Sequence, residues 1–246
     1  AMSGRVVGVN VVAGGQDRMA MLASVRVRGT TSLTGGNDPL VIIDGVSSDL
    51  STLSTIYPAD IESFTILKNA SETSKYGSRG ASGVIVVKTK RGGGGAFQIA
   101  YDGTIGFEKV SKRLQMLNAK EYIQAAKALG LVYNDQGFDT DFQKEITQTG
   151  FVNNHHVAFS GGNEKSNYRA SLGYMRGETV IKDKNYSNFT AKLDISQLAF
   201  DEKLKIDFGV FGASQKDDKL YNSQILFYSS ASMNPTLSFN KVGDGW

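Results

Sequence analysis

An alternation with a period of two begins at Phe97 and constrains this chain more than any other feature. In the run from Phe97 to Phe107, the residues Phe97, Ile99, Tyr101, Gly103, Ile105 and Phe107 fall on one side. Gln98, Ala100, Asp102, Thr104 and Gly106 fall on the other. Successive side chains of a strand point to opposite faces, so this spacing makes one apolar and one small or polar face. The same grammar returns in four later runs. Val157 and Phe159 alternate with His156, Ala158 and Ser160, and Tyr168, Ala170, Leu172 and Tyr174 with Arg169, Ser171 and Gly173. Phe189, Ala191, Leu193 and Ile195 alternate with Thr190, Lys192 and Asp194, and Leu204, Ile206, Phe208 and Val210 with Lys205, Asp207 and Gly209. An amphipathic helix is excluded, because its apolar positions recur roughly every 3.6 residues.

A soluble sandwich and a membrane barrel both alternate in this way. Each run is near the roughly 9–11 residues that a tilted strand needs to cross a bilayer. Aromatics sit toward the strand ends. The polar face carries Arg169, Lys192, Asp194, Lys205 and Asp207, which a wet lumen tolerates. The connections Gly161–Ser166 and Gln197–Lys203 are short, whereas about 45 residues follow Phe107 and about a dozen follow Met175, as in barrels with short turns on one side. These details favour the barrel. Such a barrel needs about eight strands or more, and an open sheet in lipid would leave two rows of unpaired backbone groups. The barrel reading therefore implies a piece of a longer chain. The first 20 residues show no signal peptide, which agrees with that expectation.

Upstream of the alternation the grammar differs. Val25–Arg28, Leu40–Ile43, Phe64–Leu67 and Val84–Lys88 read as short strands. They are separated by the turn signals Gly35-Gly36-Asn37-Asp38-Pro39, Asp44-Gly45 and Gly77-Ser78-Arg79-Gly80. Pro58-Ala59-Asp60 opens a helical turn or leads straight into the third strand, and residues 69–76 read as a brief helix. Four consecutive glycines, Gly92–Gly95, are costly to order and read as a linker. No Lys-Ser/Thr follows them, so they are not a phosphate loop. The division is a small mixed α/β domain over 1–91, a linker over 92–96, and the first antiparallel strands of a barrel over 97–246. Within the loop after Phe107, Asn118 and Glu121 form a capping box and Gly130 stops the helix between them. Tyr122, Ala125, Ala126 and Leu129 give that helix an apolar stripe that packs on its own loop.

Composition removes several classes of function. The chain has no cysteine, so disulfides, thiolate metal sites and thiol nucleophiles are out. Its net charge of +3 is spread without a basic block, and the densest stretch, Lys88, Lys90 and Arg91, reads as a solvated strand end. Nucleic acid is therefore not an expected partner. No apolar window is long enough for a transmembrane helix. His155 and His156 are adjacent and point to opposite strand faces, so they share no metal. Asp139 with Asp141, and Asp217 with Asp218, lie in loop-like stretches with no nucleophile or base beside them. Neither enzymatic activity nor a metal or other cofactor is expected.

Several stretches carry a family resemblance. They are Val25-Arg26-Val27-Arg28-Gly29-Thr30-Thr31-Ser32-Leu33, Pro39–Val46, Asp60-Ile61-Glu62-Ser63, Leu67-Lys68-Asn69-Ala70-Ser71 and Tyr76–Ile85, ending in Lys88-Thr89-Lys90-Arg91-Gly92. Together they closely resemble the plug domain of TonB-dependent outer-membrane transporters, in the style of the SusC/RagA branch of Bacteroidota. Leu117-Asn118-Ala119-Lys120-Glu121-Tyr122, Gly150-Phe151, Ser160–Lys165, Tyr168–Tyr174 and Met233-Asn234-Pro235-Thr236 continue the resemblance in collinear order. It implies a barrel of roughly 22 strands, occluded by an N-terminal plug, in the outer membrane of a Gram-negative bacterium. It further implies import of oligosaccharides or peptides, energised by TonB with ExbB and ExbD, and a SusD-like surface lipoprotein as lid. The alternatives are a siderophore- or cobalamin-type receptor and, in a different class, a soluble β-rich binding or adhesion module. The Leu117–Tyr122 loop and the SusC-like plug motifs argue against the former.

Within that frame, Arg28, Lys68 and Arg79, with Asp44 and Glu62 as partners, are candidates for latching the plug to the barrel wall. The other reading makes Asp44-Gly45 a simple turn and Arg28 and Arg79 internal anchors. Gly29, Gly45, Gly77, Gly80 and Gly83 answer backbone requirements. The hydroxyl-rich stretch Ser47–Thr55, a solvated loop on its composition, offers Ser47, Ser48 and the nearby Tyr57 as candidate contacts for a sugar.

Overall fold

The computed structural model describes residues 10–11, 25–26, 38–218 and 223–239. Two sheets dominate. The N-terminal one contains β3 (Leu40–Ile43), β4 (Val46–Ser48), β5 (Ile61–Leu67) and β6 (Val84–Thr89), in the order β4-β3-β6-β5. β3 runs parallel to β6, with Leu40 opposite Val84 and Ile43 opposite Val87, while β4 and β5 are antiparallel to their neighbours. A separate antiparallel pair joins β1 (Asn10–Val11) to β2 (Val25–Arg26). The parallel pair is buried on both faces, which is why β3 and β6 read as continuous apolar runs. Val41, Ile85 and Val87 pack on one side with Leu50, Leu53 and Ile56, and Leu40, Ile42 and Val84 on the other.

The stretch expected to be a solvated loop, Ser47–Thr55, is instead the end of β4 followed by α1 (Leu50–Thr55). Asp49 caps α1 by accepting from the Thr52 amide at 2.7 Å. That bond and the Ser51 hydroxyl hold the Asp49 carboxyl below its ordinary range. Leu50 and Leu53, on one helical face, enter the core. The Pro58–Asp60 turn is a 3₁₀ turn that runs directly into β5, so both readings of it are realised in succession. α2 (Ala70–Thr73) continues into a 3₁₀ stretch to Gly80, longer than the brief helix expected over 69–76.

The long sheet holds β7 (Gly95–Glu108), β8 (Gly150–Gly162), β9 (Ser166–Glu178), β10 (Asn185–Ala199) and β11 (Leu204–Asp217), in sequence order from β7 to β11. It is an open meander of five strands. All five are longer than the alternating runs that announce them, because backbone pairing continues where the side-chain pattern fades. For the same reason the link from β9 to β10 spans only 179–184, shorter than expected. One face of the sheet is apolar and open. Phe97, Ile99, Tyr101, Ile105 and Phe107 on β7, Leu172 on β9, Phe189 on β10 and Phe208 on β11 are all exposed. Exposed apolar residues gathered on one face mark an interaction surface, with protein or with lipid. The described residues contain no helix long and apolar enough to cross a membrane.

The chain forms two compact units. One takes the N-terminal domain up to Thr104 with 153–176 and 187–216; the other takes 105–152, 177–186 and the chain from Asp217. In the second unit, α3 (Ala119–Ala128) has the expected capping box between Asn118 and Glu121. It ends in a Schellman motif at Gly130, whose φ is +64°, with Leu131 N–H donating to Ala126 and Gly130 N–H to Lys127. Of its expected stripe, Ala126 is buried while Leu129 is exposed, because the chain turns away at that residue. α4 (Phe142–Glu145) is capped by Asp141, one of the acids assigned to a loop, and α5 (Ser223–Ser232) follows β11.

Candidate functional site

Within the first unit, the N-terminal domain is seated on the long sheet through residues 55–60. Tyr57 precedes a proline, which favours the extended backbone it adopts. The 3₁₀ turn then brings Asp60 back beneath it, with Asp60 N–H donating to Tyr57 O at 2.9 Å. Lys90 N–H donates to Asp60 O at 2.7 Å, tying the turn to the end of β6. The turn is thus rigid before it meets the sheet.

Three sheet residues converge on the Asp60 carboxylate. Arg169 Nη2 donates to Oδ1 at 2.7 Å and Ser171 Oγ donates to Oδ2 at 2.9 Å, both from β9. His156 Nε2 of β8 lies 3.0 Å from Oδ1. Asp60, His156, Arg169 and Ser171 are all buried. Burial pushes the Asp60 carboxyl up, yet the hydrogen bonds from Arg169 and Ser171 and the closeness of His156 together outweigh it and hold the group below its ordinary range. The carboxylate is therefore ionised across the physiological range.

Tyr57 fills the space beside this cluster. Its ring stacks on His156, with centroids 4.6 Å apart and planes 20° from parallel. On the other side it lies over Gly173 of β9. A Cβ at Gly173 would sit 2.7 Å from Tyr57 Cδ2 and 2.5 Å from Thr190 Oγ1 of β10, so only glycine leaves room for the ring. Burial pushes the Tyr57 phenol up, which keeps it neutral. Asn188 of β10 completes the seat by donating to the Thr55 carbonyl at 3.2 Å.

Next to the seat, toward β10 and β11, the two parts separate. A cleft of about 490 Å³ is lined by Ile43, Asp44, Val46 and Arg91 on one side and by Lys192, Asp207 and neighbouring residues on the other. Its charges are matched locally. Asp44 Oδ1 accepts from Thr89 N–H at 2.8 Å within the N-terminal domain, and Lys192 pairs with Asp194 within β10. Across the cleft, Arg91 reaches Asp207 at 3.6 Å, both side chains being largely exposed.

The described residues expected to latch the domain lie outside the seat. Asp44 sits in the β3–β4 turn with a φ of +50° and bonds Thr89. Glu62 and Arg79 are exposed; Arg79 lines a shallow cavity with Asp38, Pro39 and Asp49. Lys68 is partly buried. Arg28 and Gly29 lie outside the described residues. Gly45, Gly77 and Gly83 have positive φ, and a Cβ on Gly80 would approach Thr73 O to 2.8 Å. Of the candidate sugar contacts, Ser47 is exposed, Ser48 half-buried, and Tyr57 is 5% exposed within the seat. The structure brings together Asp60, His156, Arg169 and Ser171, which the sequence reading did not join. The signal was partial: alternation puts His156 and Arg169 on the polar face, and Asp60 opens a recognised motif.

Residues 1–84 match the model of the TonB-dependent Receptor Plug Domain family. The chain is 37% identical over 217 residues to the TonB-dependent receptor SusC of Bacteroides thetaiotaomicron, covering 84% of this chain and 22% of that protein. It is 33% identical over 218 residues to the TonB-dependent receptor P3 of Formosa agariphila, covering 89% of this chain and 21% of that one. The chain therefore spans about one fifth of the length of these curated relatives. Among solved structures it is similar to the RagAB peptide importer in the closed-closed state, with a TM-score of 0.70 and 25% identity over 81% of this chain and 27% of that one.

Proposed function

Because the chain belongs to the SusC/RagA family of TonB-dependent receptors, with a plug domain followed by the first strands of the barrel, we propose that the whole protein is an energy-coupled importer of oligosaccharides or peptides across the outer membrane. The chain contributes the plug over 1–91, a short glycine linker that ends where β7 begins at Gly95, and the leading wall strands from there onward. TonB, with ExbB and ExbD, supplies work from the periplasmic side, and a SusD-like surface lipoprotein closes the outer mouth. The observation that carries this reading is the opposite character of the two sheet faces in one unit. One face is open and apolar, as lipid requires. The other is polar and holds the plug through the buried Asp60–Arg169 pair. A plug attached to the wall through a compact polar seat closes the lumen without a large apolar interface that would have to be broken for it to move. Arg28, Glu62, Lys68 and Arg79 remain candidates for contacts with wall strands beyond β11.

The test is uptake by cells that carry the whole protein and its neighbouring lipoprotein. Labelled oligosaccharides and labelled peptides are supplied separately, with and without a protonophore. Accumulation of one class that collapses when the proton gradient is removed supports the reading. Equal accumulation by cells that lack the protein contradicts it.

A further inference from the structure

The plug meets the wall in two contrasting ways. At the seat, Thr55, Tyr57 and Asp60 engage β8, β9 and β10 through buried hydrogen bonds, an ion pair and a ring that occupies the place of a Gly173 Cβ. The chain leaves the plug against the same strands: a Cβ on Gly92 would lie 2.3 Å from the Tyr168 carbonyl, so the backbones there are in direct contact. At the cleft, by contrast, Asp44 and Lys192 are each satisfied on their own side, and about 490 Å³ of open space separates the two parts, lined by these charged groups and by apolar residues such as Ile43, Val46 and Phe211. Val46, the first residue of β4, lines the cleft and is 68% exposed. Among the described residues, the ion pair that spans the cleft is the exposed Arg91–Asp207 pair, whereas separating the plug from the wall at the seat uncovers buried charges.

We propose that the Thr55–Asp60 segment is the fixed pivot of the plug, and that passage opens along the Asp44–Val46 turn beside β10 and β11. The plug then moves about its attachment to β8–β10 without leaving it. This inference rests on the import reading and adds to it which side of the plug opens.

The chain has no cysteine, so paired cysteines can be introduced into it cleanly, in a whole protein otherwise free of them. Two seat pairs are made: Tyr57→Cys with Gly173→Cys, and the milder Thr55→Cys with Asn188→Cys. One cleft pair, Val46→Cys with Phe211→Cys, is bridged by a cleavable bismaleimide, since both residues line the cleft. Uptake is measured on each before and after cleavage of the cross-link, so each variant is its own control for folding. The expected result is that at least one seat cross-link leaves uptake within about twofold, while the cleft cross-link lowers it at least about tenfold and cleavage restores it. Seat cross-links that both block uptake reversibly, or a cleft cross-link that leaves it intact, overturn the pivot. Absence of uptake by the unmodified whole protein overturns the import reading itself, a result the cross-links cannot mimic.

Discussion

Arg169 and Asp60 are 109 residues apart in sequence and 2.7 Å apart in space, and they join the plug to the wall. Both are buried, and His156 and Ser171 surround the same carboxylate. A buried pair of this kind adds little net stability over apolar residues of the same shape, because desolvation offsets the attraction. Removing one partner is a different matter, since the other is left charged and dry.

Asp60→Asn is accordingly expected to weaken plug docking by about 3 kcal/mol, with Arg169→Ala giving a similar loss. The double substitution Asp60→Leu with Arg169→Met should lose much less than the sum of Asp60→Leu and Arg169→Met made singly, because the buried ion pair is removed whole. Limited proteolysis of the plug in the whole protein, followed against denaturant, measures all of these. Additive losses would contradict the pairing.

The pH dependence follows from the same group. The Asp60 carboxyl is held below its ordinary value in the folded protein. Its contribution is therefore complete above the unfolded value of about 4 and is lost as pH falls through the lower folded value. Plug protection should not change between about pH 5 and 8 on account of Asp60, and should decline below about 4. In Asp60→Asn that acid decline should be shallower, and an unchanged slope would remove Asp60 from the account.

Gly173 is expected to tolerate no side chain while the Tyr57 ring is in place. Gly173→Val places methyl groups where the Tyr57 ring lies and should cost about 1–3 kcal/mol of docking, whereas Tyr57→Phe, which preserves the stack, should be nearly silent. Fluorescence or hydrogen exchange at residues 55–60 reports the displacement. Equal effects of the two substitutions would mean that the phenol hydroxyl and not the ring shape matters.

The elements most legible in the sequence were those whose pattern comes from burial on one face only. β7 to β11 were legible because lipid-type exposure on one side and polar contact on the other produce a strict alternation, as in Tyr168, Leu172 and Tyr174 against Arg169, Ser171 and Gly173. β3 and β6 were legible as continuous apolar runs buried on both faces. α1 was not, because Leu50 and Leu53 are its only core residues and serine and threonine, which favour turns, fill the rest. The seat was harder still. Periodicity assigns His156 and Arg169 to a face, but which plug carboxylate meets them depends on how the Tyr57–Asp60 turn is aimed. A pairing over 109 residues leaves no local trace.

The most direct test of the account is a nitroxide scan along β7 and β9 in the whole protein, reconstituted in lipid. Labels at Ile99, Ile105 and Leu172 should be reached by oxygen dissolved in the bilayer and shielded from a water-soluble relaxant. Labels at Gln98, Thr104 and Ser171 should show the reverse or be shielded from both. That alternation is what a barrel wall with lipid on one side and a plug on the other predicts. Equal access of the water-soluble agent to both sets would make the sheet a soluble one and contradict the account.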